Sequence, residues 1–167
     1  RGPMIIDQQD FEFLFSWLEL GGLLERDRFA AFSAEEVSAI LAMAIRIAEA
    51  ELAPHLRASD LREPRMDENG GVAVLPEVAR AVATIAEAGL FGSVFDERHG
   101  GLQLPHLVYA ALLGSLMAGN LATASFMLLT VGNAQLLSTY ANEAQMAAFA
   151  EPQIAGAATG TMCLSES

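Results

Sequence analysis

One long stretch without charge dominates this sequence. Residues 99–142 contain no Asp, Glu, Lys or Arg, although the chain has 21 acidic and 9 basic residues elsewhere. Charged side chains are almost never fully buried unless they are paired. We therefore expect this stretch to form the buried middle of the domain, with the preceding segments packed around it as helices.

The size and charge of the chain exclude several classes of protein. Its 167 residues suffice for one domain with a substantial core, and a hydrophobic content of 53% argues against intrinsic disorder. The net charge of −12 argues against nucleic acid and anionic lipid as partners, because both need a basic surface. The single cysteine, Cys163, excludes a disulfide within the chain, so a reducing, cytoplasmic setting is expected.

A membrane span has to be considered, because residues 107–131 are apolar and long enough to cross a bilayer as a helix. Gly114 interrupts the run, and Gly119 with Asn120 divides it near the middle. Two helices of a water-soluble domain, joined at Gly119 and Asn120, explain the pattern better. No membrane span is predicted.

Helix signals are clearest in the first half of the chain. Ser33 and Glu36 form a predicted capping box, and apolar residues follow at helical spacing as far as Leu52. Pro54 should end or kink that helix, while Pro76 should begin another. Before them, residues 4–32 read as a leader with one short helix, capped by Asp10 and stopped at Gly21 and Gly22; Arg1 to Pro3 resemble a tag remnant.

The second half of the sequence predicts two central helices, followed by a change in the spacing of its residue pattern. Pro105 should start the first helix, Asn120 should cap the second, and Asn142 should cap a short last one. Residues 159–165 then alternate with a period of two, which predicts a strand. The predicted fold class is all-α: an antiparallel helical bundle over residues 33–156, with the start of a β-domain strand at residues 157–167.

The residues alone assign no chemistry. His55, His99 and His106 have no partners at the spacing of a metal site. Ser115 does not lie in a nucleophile motif, and Cys163 has no nearby His or Lys that would activate its thiol.

Three segments nevertheless resemble the acyl-CoA dehydrogenase family. Residues 89–92 (GLFG) and 95–102 (FDERHGGL) are similar to its glycine-rich loop, and residues 140–145 (YANEAQ) to a turn between two of its helices. Residues 160–166 (GTMCLSE) are similar to its flavin-side strand, with Ser167 where the family has Pro. The order and spacing match the family's N-terminal helical domain and the first strand of its middle domain. The subgroup resembled most is that of the large methylthiopropanoyl-CoA dehydrogenases.

The resemblance implies an α,β-dehydrogenation. In this family a Glu removes the α-proton of an acyl-CoA thioester, and the β-hydride passes to N5 of FAD. That Glu belongs to the family's C-terminal domain, so no catalytic residue is expected among these 167. The resemblance also implies a homo-oligomer, and an electron-transfer flavoprotein or a similar protein as the electron acceptor. An oxidase that passes its electrons to oxygen is the alternative within this enzyme hypothesis.

Carried over by position, Met162, Leu164 and Ser165 would lie beside the flavin, unless they form an ordinary edge strand. Thr123, Met127 and Val131 are spaced so that they share one side of a helix, and would line the acyl chamber. They serve equally well as plain core. A second hypothesis of a different class also stands: a helical oligomerisation module that keeps the scaffold without the catalysis.

Overall fold

The structure is a computed structural model that describes residues 6–163 of the chain. Nearly all regular structure is helical, and the predicted all-α class is confirmed. The helices are α1 (Gln8–Trp17), α2 (Leu20–Leu24), α3 (Ala34–Ile47), α4 (Leu56–Leu61), α5 (Pro76–Glu87), α6 (His106–Tyr140), α7 (Glu143–Gln145) and α8 (Glu151–Ile154). Helices α3, α5 and α8 pack against α6, which is the centre of the fold.

The predicted capping box at the start of α3 is confirmed. The Ser33 hydroxyl accepts a hydrogen bond from the Glu36 amide at 3.2 Å, and the Glu36 carboxylate accepts one from the Ser33 amide at 2.8 Å. Asn142 and Gln145 form the same reciprocal pair at the start of α7. Both pairs satisfy amides that the first turn of a helix leaves free, and so fix where these helices begin.

The leader differs from its prediction at both ends of its helix. The cap of α1 is Asp7, whose carboxylate accepts a hydrogen bond from the Gln9 amide at 3.0 Å, and Asp10 lies inside the first turn. The helix stops after Trp17 because Glu19 adopts a left-handed conformation. Gly21 and Gly22, predicted as the stop, lie within α2 instead.

Pro54 and Pro152 each follow a widened helical turn. A π-helical turn, Ala48–Leu52, precedes Pro54, and another, Met146–Ala150, precedes Pro152. A proline ring collides with the carbonyl four residues earlier in an α-helix. In both places that carbonyl lies within the π turn, whose wider path relieves the collision. Pro54 therefore redirects the helix, as predicted, and helical structure continues through a 3-10 turn, Ala53–His55, into α4.

Helix α6 changes direction at Asn120, where the sequence predicted a helix boundary. Asn120 has extended backbone angles (φ −163°, ψ 103°), and its side-chain oxygen accepts a hydrogen bond from the Thr123 amide at 3.2 Å. Its side-chain nitrogen donates to the Ser59 hydroxyl at 3.2 Å. Asn120 thus caps the second half of α6 and ties the kink to α4.

Gly119 sets how closely the kink approaches the first π turn. A Cβ atom at Gly119 would lie 2.7 Å from the Ala48 carbonyl oxygen, which is backbone and cannot rotate away. Only glycine allows the two backbones to come this close. The contact holds α6 against the continuation of α3.

The charge-free stretch is only partly buried, which corrects the expectation that it forms the middle of the domain. Half of its most apolar 18-residue window is buried. Four small residues of α6 are exposed, namely Ala110, Gly114, Ala118 and Ala122. By length and composition α6 could also cross a membrane. Its buried half, however, packs on the other helices as a core helix does.

Two segments between or after the helices differ from simple expectation. The loop before α5 contains a minimal hairpin, in which β1 (Arg65–Met66) pairs antiparallel with β2 (Val72–Ala73). Residues 159–163, predicted as part of a strand, form no regular structure within the described part of the chain, because a strand requires a partner and they contact α6 instead. Leu164 and Ser165 lie outside the described residues.

The backbone contact at Gly119 predicts opposite effects for two Gly→Ala substitutions in α6. Gly119→Ala should lower the free energy of unfolding by about 1–3 kcal/mol, because the added methyl group displaces the Ala48 carbonyl. Gly114→Ala is the matched control, since its Cβ would meet nothing. It should raise the free energy of unfolding by about 0.5–1 kcal/mol through helix propensity. Urea unfolding measures both, and equal effects of the two substitutions would contradict the contact.

Burial also predicts a loss of stability at alkaline pH. Desolvation raises the pKa of the Tyr109 hydroxyl to about 12 from its ordinary 10.0. The folded state therefore favours the neutral phenol. This contribution is fully present below about pH 10, the pKa expected in the unfolded chain, and is lost as the pH rises toward 12. Tyr109→Phe should unfold with a shallower dependence on pH in that range; an unchanged slope would count against the assignment.

Candidate functional site

The second half of α6 presents two apolar faces, and the predicted acyl-chamber residues lie on the inner one. Thr123, Met127 and Val131 are 1%, 0% and 1% exposed. The Thr123 hydroxyl forms a buried hydrogen bond of 2.9 Å with Nε2 of His55. Met127 and Val131 belong to the hydrophobic core. The structure brings the three together, as their spacing predicted, but against the interior of the domain.

The outer face of the same helix is apolar and open. Leu121 is 54% exposed and Leu136 is 49% exposed, with Leu128 and Leu129 between them. Leu129 and Leu136 lie on the opposite side of the helix from Met127, about half a turn away. An apolar face of this kind marks an interaction surface or part of a ligand site.

The segment after α8 is hydrogen-bonded to α6 next to this outer face. The Gly160 amide donates to the Thr130 hydroxyl at 3.0 Å, and the Asn133 side chain donates to the Thr161 carbonyl at 3.2 Å. Met162 lies over Gly132, where a Cβ atom would be 3.3 Å from its sulfur. Thus Met162, one of the predicted flavin-side residues, lies against α6, whereas Leu164 and Ser165 are outside the described residues.

A cavity of about 260 Å³ separates this segment from the outer face. The helix lines it with apolar residues and Ser125, and the segment lines it with the hydroxyl-bearing Thr159 and Thr161 and with Gly160. The residues that line it are Ala122, Ser125, Phe126, Leu129, Thr159, Gly160 and Thr161. None of the three residues predicted for the acyl chamber is among them.

One buried acceptor near the segment is left without a partner. The Gln153 side chain is 7% exposed, and its nitrogen donates to the Phe149 carbonyl at 2.8 Å. Its oxygen accepts no hydrogen bond from the described residues. A Cβ atom at Gly160 would collide with that oxygen, so only glycine fits there.

The glycine-rich loop that carried the resemblance has a structural role. The Leu102 amide donates to the Gly92 carbonyl at 2.9 Å, which folds the loop back on itself. A Cβ atom at Gly101 would collide with the Phe95 backbone, so this glycine is required for the close approach. The loop is fixed to its surroundings through an ion pair of Asp96 with Arg28 and through a hydrogen bond of 3.1 Å between His99 Nδ1 and the Glu151 carboxylate.

The described residues contain no group of three or more His, Cys, Asp or Glu side chains that could hold a metal ion. The cavity beside α6 is lined by no acidic or basic side chain. The cavity therefore offers an apolar wall and backbone hydrogen-bonding groups, but no acidic or basic side chain that could transfer a proton.

Comparison with known families decides what this domain is. A match to the family described as "Acyl-CoA dehydrogenase, N-terminal domain" covers residues 34–157, more than half of the chain. The chain belongs to the acyl-CoA dehydrogenase family. No individual curated protein matches it. The family match includes the glycine-rich loop, the kink and both faces of α6, whereas α1 and α2 lie before it.

The sequence assigned Thr123, Met127 and Val131 either to an acyl chamber or to the core, and the structure buries all three. Both faces of α6 are apolar, so hydrophobic periodicity does not separate them. A usable signal was the series Asn120, Thr123 and Thr130, because polar residues at helical spacing often satisfy buried groups.

The hydrogen bond between Thr130 and Gly160 predicts how the terminal segment is held. Thr130→Val keeps the shape of the side chain but removes the acceptor of the Gly160 amide. Exchange of the Gly160 amide hydrogen should become about threefold to tenfold faster, as expected for the loss of one net hydrogen bond. Thr139→Val, whose hydroxyl bonds only within its own helix, is the control and should leave that amide unchanged. Equal exchange rates in both variants would contradict the docking.

Proposed function

We propose that this chain forms one wall of the active site of an FAD-dependent acyl-CoA dehydrogenase. The observation that carries the proposal is the open apolar face of α6 beside a segment held by Thr130 and Asn133. A thioester's acyl chain needs a dry, apolar surface on which to lie. Family membership supplies the reaction class, α,β-dehydrogenation of an acyl-CoA thioester.

The residues beside this face suit a flavin ring. The backbone amides of Thr161, Met162 and Cys163 donate no hydrogen bond to any described residue. Free backbone amides can bond the polar edge of an isoalloxazine ring, while the helix face would cover its apolar part. When bound, FAD would supply the acceptor for the substrate's β-hydride. Met162 would be the predicted flavin-side residue that this segment places beside α6, while Leu164 and Ser165 lie outside the described residues.

A different set of residues from the one that the resemblance implied would contact the thioester. Thr123, Met127 and Val131 are occupied in packing the domain. Ala122, Phe126 and Leu129 line the open cavity. We propose that these three contact the acyl chain and exclude water from it, while Thr123 positions the helix through His55.

The rest of the site would come from elsewhere in the assembly. No carboxylate lines the cavity, so the base that removes the α-proton would be supplied from outside the described residues. An apolar face of this kind is normally covered in the assembled protein. Further domains of the same protein and a homo-oligomer would cover it.

An electron-transfer flavoprotein or a similar acceptor would reoxidise the flavin. A cytoplasmic location and a thioester like methylthiopropanoyl-CoA are parts of the same proposal.

An alternative is an oligomerisation module that keeps the helical scaffold without catalysis. The same exposed leucines favour it, because they could associate with a second copy. The two candidates differ in whether flavin is bound and reduced.

The test uses the product of the whole reading frame that contains this sequence, purified with added FAD. We expect it to retain flavin, whose absorbance is bleached when acyl-CoA is added without oxygen. Retained flavin that no acyl-CoA reduces, or a protein that never retains flavin, would favour the module.

Two sets of variants then distinguish the faces of α6. Phe126→Ala and Leu129→Ala should change the preference between long and short acyl chains by about tenfold in kcat/KM, with little effect on folding. Met127→Ala should instead lower the free energy of unfolding by about 2–5 kcal/mol, because its side chain is in the core. A change of chain-length preference in Met127→Ala alone would contradict the assignment of the outer face.

A further inference from the structure

The leader helix α1 presents an apolar surface that no described residue covers. Phe13 is 69% exposed and Trp17 is 71% exposed, one helical turn apart, with Leu14 and Leu18 beside them. Exposed aromatic side chains of this kind are enriched where proteins bind one another. This surface lies before residues 34–157, so it is separate from the part that matches the family.

The leader is attached firmly enough for this surface to have a defined shape. Phe15 and Leu20 are buried in the core. The Gln8 side chain donates to the Ser38 hydroxyl at 2.9 Å, and that hydroxyl donates to the Glu12 carboxylate at 3.1 Å. These contacts fix α1 on α3, so Phe13 and Trp17 are held pointing away from the domain.

A groove runs between α1 and the start of α3 on the flank of the same helix. Its volume is about 500 Å³. Its apolar lining includes Phe15, Leu20, Gly21 and Ala34, and carboxylates of Glu12 and Glu35 lie at its walls. The Glu35 carboxylate forms no hydrogen bond or ion pair with the other described residues. The groove therefore offers apolar space together with a free negative charge.

The charge around α1 determines what can occupy this surface. Residues 2–25 contain five acids and no Lys or Arg. A second copy would bring the same acids into contact, and the chain already carries a net charge of −12. Anionic lipid is opposed for the same reason. A surface that is both apolar and acidic is complementary to a basic, amphipathic partner.

We propose that α1 and its groove dock another protein, through a segment in which an apolar anchor is flanked by Lys or Arg. The anchor would enter the groove beside Gly21, and a cation would pair with Glu35. The exposed face with Phe13 and Trp17 would be covered at the same time. This inference is independent of the proposed dehydrogenase function, since it uses none of the residues around the α6 cavity.

The chain contains a reporter for this test, because Trp17 is its single tryptophan. The probe is a synthetic Leu/Lys peptide that forms an amphipathic helix, and the control is the Leu/Glu peptide of the same length. We expect the Leu/Lys peptide to shift Trp17 emission to shorter wavelength, with binding that weakens as salt is added. The Leu/Glu peptide should cause no shift.

Two glycines in α2 provide matched variants. A Cβ atom at Gly21 or at Gly22 would meet nothing within 4 Å, but only Gly21 lines the groove. Gly21→Leu should fill the groove and weaken the Leu/Lys peptide about tenfold, whereas Gly22→Leu should bind it as the unmodified chain does. Glu35→Gln should also weaken binding, and Glu87→Gln, on α5, should not.

Several results would overturn the proposal. Equal binding of both peptides, or equal affinity of the Gly21→Leu and Gly22→Leu variants, would mean that the groove is not used. A shift of Trp17 emission that depends on protein concentration alone would identify a second copy as the occupant. A shift caused by anionic phospholipid vesicles, without peptide, would identify a membrane surface.

Discussion

The close backbone contact between Gly119 and Ala48 is the constraint on which the rest of this fold depends. It joins the kink of α6 to the π turn that Pro54 imposes on the end of α3. Asn120 then uses both ends of its amide to hold the joint, capping the second half of α6 and bonding the Ser59 hydroxyl. Because the joint fixes the rotation of the second half of α6, it decides which residues of that helix face the core.

That rotation gives the charge-free helix two different roles. The inner face, with Met127 and Val131, fills the core of the domain. The outer face, with Leu128 and Leu129, remains open beside the segment that Thr130 and Asn133 hold. The helix therefore lacks charge on both faces for different reasons. Its inner face packs in the core, and its outer face forms an exposed apolar surface.

The cavity beside α6 would supply only part of the proposed active site. It has an apolar wall and free backbone amides beside it, but no acidic or basic lining side chain. The glycine-rich loop of the domain carried the family resemblance. Packing explains at least one of its glycines, because Gly101 has no room for a side chain against Phe95. Features that identify the family are thus largely features that build the scaffold.

The sequence by itself determined the all-α class and the helix boundaries at Ser33, Asn120 and Asn142, and it indicated the family. These depend on local hydrogen bonds between residues a few positions apart, which local patterns encode. Only the tertiary structure decided which side of α6 is buried, because both sides are apolar and the choice is made by Gly119 against Ala48, far apart in the chain. It also decided that residues 159–163 lie against α6 instead of pairing as a strand, since pairing requires a neighbouring strand that the described residues do not contain.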